Sequence, residues 1–342
     1  MATITEVRER TANGNRGGEA TGNGNGKDGE ASTYSGKEHK WARPAATREN
    51  SAMLVGAYTP YIVLLAFTLV FHETPFAERF YTHLNAHYTC FQISFYGSLI
   101  VTTGVYWLLG FIFMAFDLVD PLHNWIKRWK VQPDVRPTLA MYREVFTLVV
   151  RNLVCVNVPV AFVTSVVNPF RVDVPLPRAW ETLWTFFLTL AFEEVGFYCV
   201  HRTFHSKRFY ASVHKTHHKF TAPVAFSGTY ATVIEHFFSN LFPVMLPFYL
   251  TNAHFSCAMC FFCSLLMDTT ITHSGYNVPY LINALKHDWH HYAFTENFGP
   301  IGFMDKIMGT NTRYNAWLGE LKRRDVDGWL ATGRLELAEK TQ

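Results

Sequence analysis

Apolar positions along this chain fall into long unbroken runs, not into the alternation of half-buried strands. Residues 1–50 carry almost no large apolar side chain. Such a segment cannot bury enough surface to offset its ordering entropy, so it is expected to be disordered. From residue 53 the pattern changes. MLVGAYTPYIVLLAFTLVF (53–71) is long enough to cross a hydrocarbon core of roughly 30 Å as a helix. FQISFYGSLIVTTGVYWLLGFIFMAF (91–116), residues 145–167 (weakened by Arg151 and Asn157) and WETLWTFFLTLAFEEVGFYCV (180–200) repeat the signal. A further stretch, 237–271, is interrupted by Pro243 and Pro247, and TNAH (251–254) offers a turn. It reads as a hairpin that enters the membrane and returns. The pattern therefore predicts an all-α integral membrane protein with about four transmembrane helices plus a membrane hairpin. The expected organisation is a disordered segment (1–50), a transmembrane region (51–179), a catalytic domain (180–315) and a polar tail (316–342).

Composition agrees with a membrane class. Hydrophobic residues make up 49% and charged residues 17%, well below the quarter charged that is usual in soluble domains. A net charge of +3, with no basic run interleaved with aromatics, argues against nucleic acid as a partner. The six cysteines lie in or beside apolar segments, which speaks against a disulfide framework. CAMCFFC (257–263) places its thiols along one face of an apolar helix, as small packing residues. No signal-peptide core opens the chain. Lys and Arg alternate high, low, high, low, high between the runs, which places the N-terminus and everything after residue 200 in the cytosol.

Histidine then changes the picture. HRTFH (201–205), HKTHH (214–218) and HDWHH (287–291) gather eight of sixteen histidines at spacings of three and four residues. On a helix such spacings share one face. Neutral imidazole suits Fe, Zn, Cu and Ni. Eight nitrogens, or nine with His273, exceed the four ligands that one zinc usually takes, so the count points to two metals. No cluster contains the general base of an H-E-x-x-H protease site. A metal transporter is the competing class, but transporters hold their ligands at mid-membrane in broken helices, not at helix ends among basic loops.

These boxes, with HKTHHKFTAP (214–223), ITHSGYNVPY (271–280) and NFGPIGFMDKIMGT (297–310), resemble the fatty acid hydroxylase/sterol desaturase superfamily, and within it the methylsterol monooxygenase-like group. The resemblance covers roughly residues 180–315. It implies a cytosolic, histidine-rich di-iron domain on a membrane of the endoplasmic reticulum. It also implies an O₂-dependent oxidoreductase that hydroxylates or desaturates a lipophilic substrate. A sterol or terpenoid is favoured, and a specialised metabolite or a fatty acyl or sphingoid chain stays open. Electrons would come from NAD(P)H through cytochrome b5 or a reductase, since the chain shows no nucleotide-binding glycine fingerprint.

Carried over residue by residue, the resemblance makes His201, His205, His214, His217, His218, His273, His287, His290 and His291 iron ligands. His236 is a candidate tenth; the rival reading is a histidine lining the hairpin entrance. Similar sequences commonly carry His-Pro where this chain has Thr232-Val233. Glu194, seven residues before His201 on the same helical face, is expected to orient a box histidine, because ligating imidazoles usually donate their other N–H to a carboxylate. Asp268, Asp288 and Glu235 are further candidates, and Glu193 is expected to face solvent or a neighbour. The isolated His39, His72, His83, His87, His123 and His254 read as structural or surface residues.

Overall fold

The structure, a computed structural model, describes residues 58–281, 284–325 and 328–341. The segment 1–50 and the first residues of the run at 53 lie outside this range. Among the described residues there is no strand, only isolated bridges between Lys130 and Tyr276 and between Arg171 and His254. The chain is an all-α integral membrane protein.

Among the described residues twelve helices define the framework: α1 (Thr59–His72), α2 (Pro75–His87), α3 (Cys90–Leu118), α4 (Asp120–Ile126), α5 (Leu139–Val167), α6 (Ala179–Phe204), α7 (Val233–Thr251), α8 (Phe255–His273), α9 (Leu285–Ala293), α10 (Phe303–Met308), α11 (Thr312–Arg324) and α12 (Trp329–Thr341). Five of them, α3 and α5 to α8, are long and apolar enough to cross a membrane. Large apolar side chains remain bare on their outer faces, including Ile100 at 71%, Val167 at 72% and Leu250 at 64% exposure. Such surface belongs against lipid. The 14 residues of α1 cover only about 21 Å, and the chain then bends by 80° into α2.

Side-chain contacts fix which helix ends meet. At one end His72 Nε2 lies 2.7 Å from Ser256 Oγ, and the Phe170 N–H donates to Ser94 Oγ at 2.9 Å. This far end gathers the close of α1 and the starts of α3, α6 and α8. At the other end Tyr61 donates to Asp268 Oδ2 at 2.9 Å, and Tyr106 donates to the Phe226 carbonyl at 2.8 Å. The last residues of α6 and α8 lie here, so the histidines of HRTFH and His273 share this end.

The expected hairpin opens into two separate helices. Thr251 ends α7, Asn252 takes a left-handed conformation (φ 47°), and the His254 side chain caps α8 by accepting from the Ser256 N–H. From that turn the helices diverge. One packs along α6, the other against α1 and α3. Each has 19 residues, enough to cross, and both return the chain to the histidine end.

A buried ion pair locks that end. Lys130 Nζ lies 2.7 Å from Asp117 Oδ1, and the same carboxylate accepts from Tyr142 (2.6 Å) and Tyr276 (2.8 Å). It joins the end of α3 to α5 and to the segment just after His273. Gly110 serves the same packing: a Cβ there would come within 2.3 Å of the Phe226 ring. That ring holds the Ala225–Thr229 turn against the bundle.

Candidate metal centre

Five elements present the nine histidines. His201 sits in the last turn of α6 and His205 caps it. A π turn, Tyr210–His214, and a 3₁₀ turn, His217–Lys219, carry the second box. His273 closes α8, and α9 carries His287, His290 and His291. The nitrogens converge in two groups: His201, His205, His214, His218 and His290 in one, and His217, His273, His287 and His291 in the other. Within each group the candidate ligand atoms lie within 4.8 Å of one another. The groups adjoin, with the His218 and His291 ring centroids 4.4 Å apart.

Hydrogen bonds behind the rings fix the tautomers. His201 Nδ1 donates to the Phe298 carbonyl (2.7 Å), His290 Nδ1 to the Glu296 carbonyl (2.7 Å) and His273 Nδ1 to the Thr269 carbonyl (2.7 Å). His214 Nδ1 faces Glu235 Oε1 at 2.5 Å. A neutral imidazole holds one proton, so the Nε2 atoms of these four carry bare lone pairs. Those atoms nevertheless point at other imidazole nitrogens. His201 and His214 Nε2 are 3.1 Å apart, His214 and His218 Nε2 are 2.9 Å apart, and His205 and His290 Nε2 are 3.2 Å apart. In the second group the His287 and His291 Nε2 atoms are 2.9 Å apart and those of His217 and His273 are 3.4 Å apart. Lone pairs in opposition repel, and a cation between them removes the repulsion. Two ligands at right angles, each about 2.1 Å from an ion, stand about 3 Å apart, which is the spacing seen. The donor set therefore fits two transition-metal ions.

Electrostatics point the same way. Burial, reinforced by neighbouring imidazoles, pushes His205, His214, His217, His218, His287, His290 and His291 well below the ordinary histidine range. Around neutrality these rings are uncharged, the form that binds metal.

The supporting carboxylates differ from the expectation. Glu194 does not touch a box histidine. Its Oε2 accepts from the Ile301 N–H at 3.0 Å and its Oε1 from the Met304 N–H at 2.7 Å. The i−7 spacing does aim it toward His201, but the 297–304 loop folds between them and takes both partners. A Cβ on Gly299 would sit 2.9 Å from Glu194 Oε1, so a residue without a side chain lets the loop enter. Glu235 is the carboxylate that meets a ring directly. Asp305 was missed. It accepts from the Phe298 and Gly299 N–H groups, both at 2.8 Å, and so fixes the carbonyl that holds His201. Glu296 was also missed; it accepts from the Arg313 and Tyr314 N–H groups at 2.8 and 2.9 Å, while its carbonyl holds His290. The available signal was the turn-rich NFGPIGFMDKIMGT itself, whose glycines and proline mark a loop with a conformation to keep.

His236 joins neither group, and its reading as a tenth ligand is withdrawn. Its Nε2 is 2.6 Å from Asn157 Oδ1, and Asn240 Nδ2 donates to its Nδ1 at 3.0 Å. Both ring nitrogens are taken. Asn157 and His236 lie in the π turns Leu153–Asn157 and His236–Leu241, which re-aim side chains inside otherwise regular helices. Thr232, at the departure from His-Pro, caps the helix that begins with Val233 by accepting from the Glu235 N–H. Asp268 bonds Tyr61, and Asp288 is buried on α9. Glu193 is 2% exposed and does not face solvent.

A cavity of about 500 Å³ opens from the histidines into the bundle. Its wall takes in His201, His214, His217 and His273 together with Leu99, Val160, Leu265, Thr164 and Phe170. The volume lies within the usual range for small-molecule sites.

The fatty acid hydroxylase family profile matches residues 186–310, which take in every histidine of both groups. The fatty acid hydroxylase ahd1 of Mycosarcoma maydis is 35% identical over 290 residues, covering 83% of this chain and 74% of its own length. Fatty acid hydroxylase domain-containing protein 2 of Homo sapiens is 32% identical over 227 residues, 64% of this chain and 67% of its own. Methylsterol monooxygenase 1 of Danio rerio is 28% identical over 265 residues, 71% and 87% of the two chains. No solved structure matches.

Proposed function

The chain belongs to the fatty acid hydroxylase family, and on that premise we propose that it is a di-iron oxygenase that hydroxylates or desaturates a C–H bond of a lipid drawn from the bilayer. The observation that carries the reading is the convergence of nine imidazoles in two adjoining groups, with the His201 and His214 lone pairs facing each other. Nine neutral nitrogens exceed what one ion takes, and an all-imidazole set suits iron among the redox metals. His201, His205, His214, His218 and His290 would hold one ion; His217, His273, His287 and His291 would hold the other. Iron so bound supplies the redox chemistry that lets O₂ attack an unactivated C–H bond.

The residues of the chain do the rest. The Phe298, Glu296 and Thr269 carbonyls and the Glu235 carboxylate keep four Nε2 atoms turned inward. Rings held in this way lose no orientation when substrate binds. The cavity wall between Leu99 and Leu265 excludes water and lays an apolar molecule along the bundle with one end at the histidines. Substrate enters sideways from lipid. Sterols and terpenoids are the favoured class, in keeping with relatives named methylsterol monooxygenase. A specialised metabolite or an acyl or sphingoid chain is the alternative. Electrons come from NAD(P)H through cytochrome b5 or a reductase. The site faces the cytosol on the endoplasmic reticulum, in line with the Lys and Arg alternation.

Product profiling tests this reading. Membranes from cells with and without the protein are incubated with NADPH under ¹⁸O₂, and their lipids are compared. An oxygenated or desaturated lipid that requires both the protein and O₂ is expected. No such product in any lipid class would remove the proposal.

A further inference from the structure

One acid in the cavity wall has no task in this scheme. Glu193 lies within α6, 2% exposed, and its Oε2 has no hydrogen-bond partner among the described residues. The carboxylates around it are each engaged: Glu194 by two backbone N–H groups, Asp268 by Tyr61, Glu235 by His214. Glu193, Phe197 and His201 follow one another at four-residue steps of α6, and all three line the cavity. An ionisable group inside a membrane segment is costly and points to function. A buried acceptor left without a donor is costly again. Both costs are relieved if the donor arrives with the ligand.

We propose that Glu193 accepts a hydrogen bond from the substrate's hydroxyl, so that the enzyme selects a lipid alcohol and holds it by that group. The proposal rests on the oxygenase reading for what happens to the lipid afterwards, but not for its binding. An ester or a hydrocarbon offers no donor and gains nothing from this contact. Geometry adds a consequence. Eight residues of helix separate Glu193 from His201, about 12 Å along the axis. A lipid held at Glu193 therefore presents to the histidines a carbon far from its hydroxyl, not the carbon beside it.

The test uses the full-length, metal-loaded protein in detergent, and binding is read without reductant. Three alcohols serve as probes, cholesterol, farnesol and oleyl alcohol, each beside its own methyl ether, which keeps the shape and loses the donor. At least one alcohol is expected to bind about 2- to 10-fold more tightly than its ether, the ratio that one buried hydrogen bond supports. In Glu193→Leu that ratio should fall to about one, with ether binding and metal content unchanged. Glu193→Gln keeps an acceptor oxygen and should retain part of the ratio, and it carries the test if the leucine variant does not fold. Three alcohols that all bind no better than their ethers would overturn the proposal. So would a wild-type ratio that survives in either variant undiminished. Selective alcohol binding without any turnover would sink the oxygenase reading and leave this one standing. Turnover without selectivity would do the reverse.

Discussion

Two sets of histidines lie at opposite ends of α8, and they behave differently. At the far end His72 and His254 meet hydroxyls. His72 Nε2 and His254 Nδ1 each lie 2.7 Å from Ser256 Oγ, and His72 Nδ1 is 3.2 Å from Thr182 Oγ1. A hydroxyl both donates and accepts, so it satisfies either tautomer. At the other end nine histidines meet one another, and in four of them a backbone carbonyl or Glu235 already engages the outer nitrogen. Both sets contain buried and half-buried rings, and both include residues at the ends of apolar helices. Burial alone therefore says little about a histidine's role; the partner says it. Histidine against hydroxyl is packing. Histidine lone pair against histidine lone pair calls for an ion.

The largest expected effect separates the two sets outright. His290→Ala or His217→Ala should remove bound metal and all measurable turnover while membrane insertion persists. His72→Ala should keep metal and turnover and lower only the melting temperature. Elemental analysis of the three purified variants checks this, and metal loss in His72→Ala would erase the distinction.

Next come the carboxylates. Glu235→Gln should lower metal affinity or activity about 10- to 100-fold, because it weakens the bond that orients His214. Glu194→Gln acts only through the 297–304 loop, so its metal content should stay at the wild-type level while stability drops by about 1–3 kcal/mol, the cost of a backbone donor left short. Equal metal loss in both would mean that the loop, not the direct contact, governs the rings.

Acid gives a smaller, graded effect. The folded clusters hold their imidazoles neutral below the ordinary histidine pKa, whereas the unfolded chain takes up protons near 6.5. The unfolded state then binds more protons, so stability rises with pH. The metal-free protein should melt at a constant temperature above about pH 7 and at falling temperature as pH drops below 6.5. Thermal melts across that range check the sign. The smallest effect belongs to His236→Leu, which should leave metal content untouched, since its partners are Asn157 and Asn240.

Much of this is legible in the sequence. Long apolar runs allow only helices in lipid, because each backbone group must find its partner within its own segment. Spacings of three and four residues put box histidines on shared faces, and the structure gathers the nine into two groups. What the sequence hid was tertiary. Glu194 has the helical phase to face His201, but phase cannot reveal a loop from a hundred residues downstream folding between them. Asp305 and Glu296 act through backbone carbonyls of that loop, and a bond to a carbonyl leaves no residue-type signature. His236 looked like a ligand because it is a histidine near the boxes; Asn157, on another helix, takes its ring. The hairpin turns at TNAH as expected, but neither Pro243 nor Pro247 breaks its first arm. Pro243 instead falls in the first turn of the α-helical part, and Pro247 is carried inside the helix.

The central claim is that the two histidine groups each hold an iron ion. Metal analysis of purified, active protein tests it most directly, with protein concentration measured independently by amino-acid analysis. Two irons per chain are expected, with His217→Ala and His290→Ala each losing at least one. One tightly held zinc per chain, with no iron in active protein, would contradict the account.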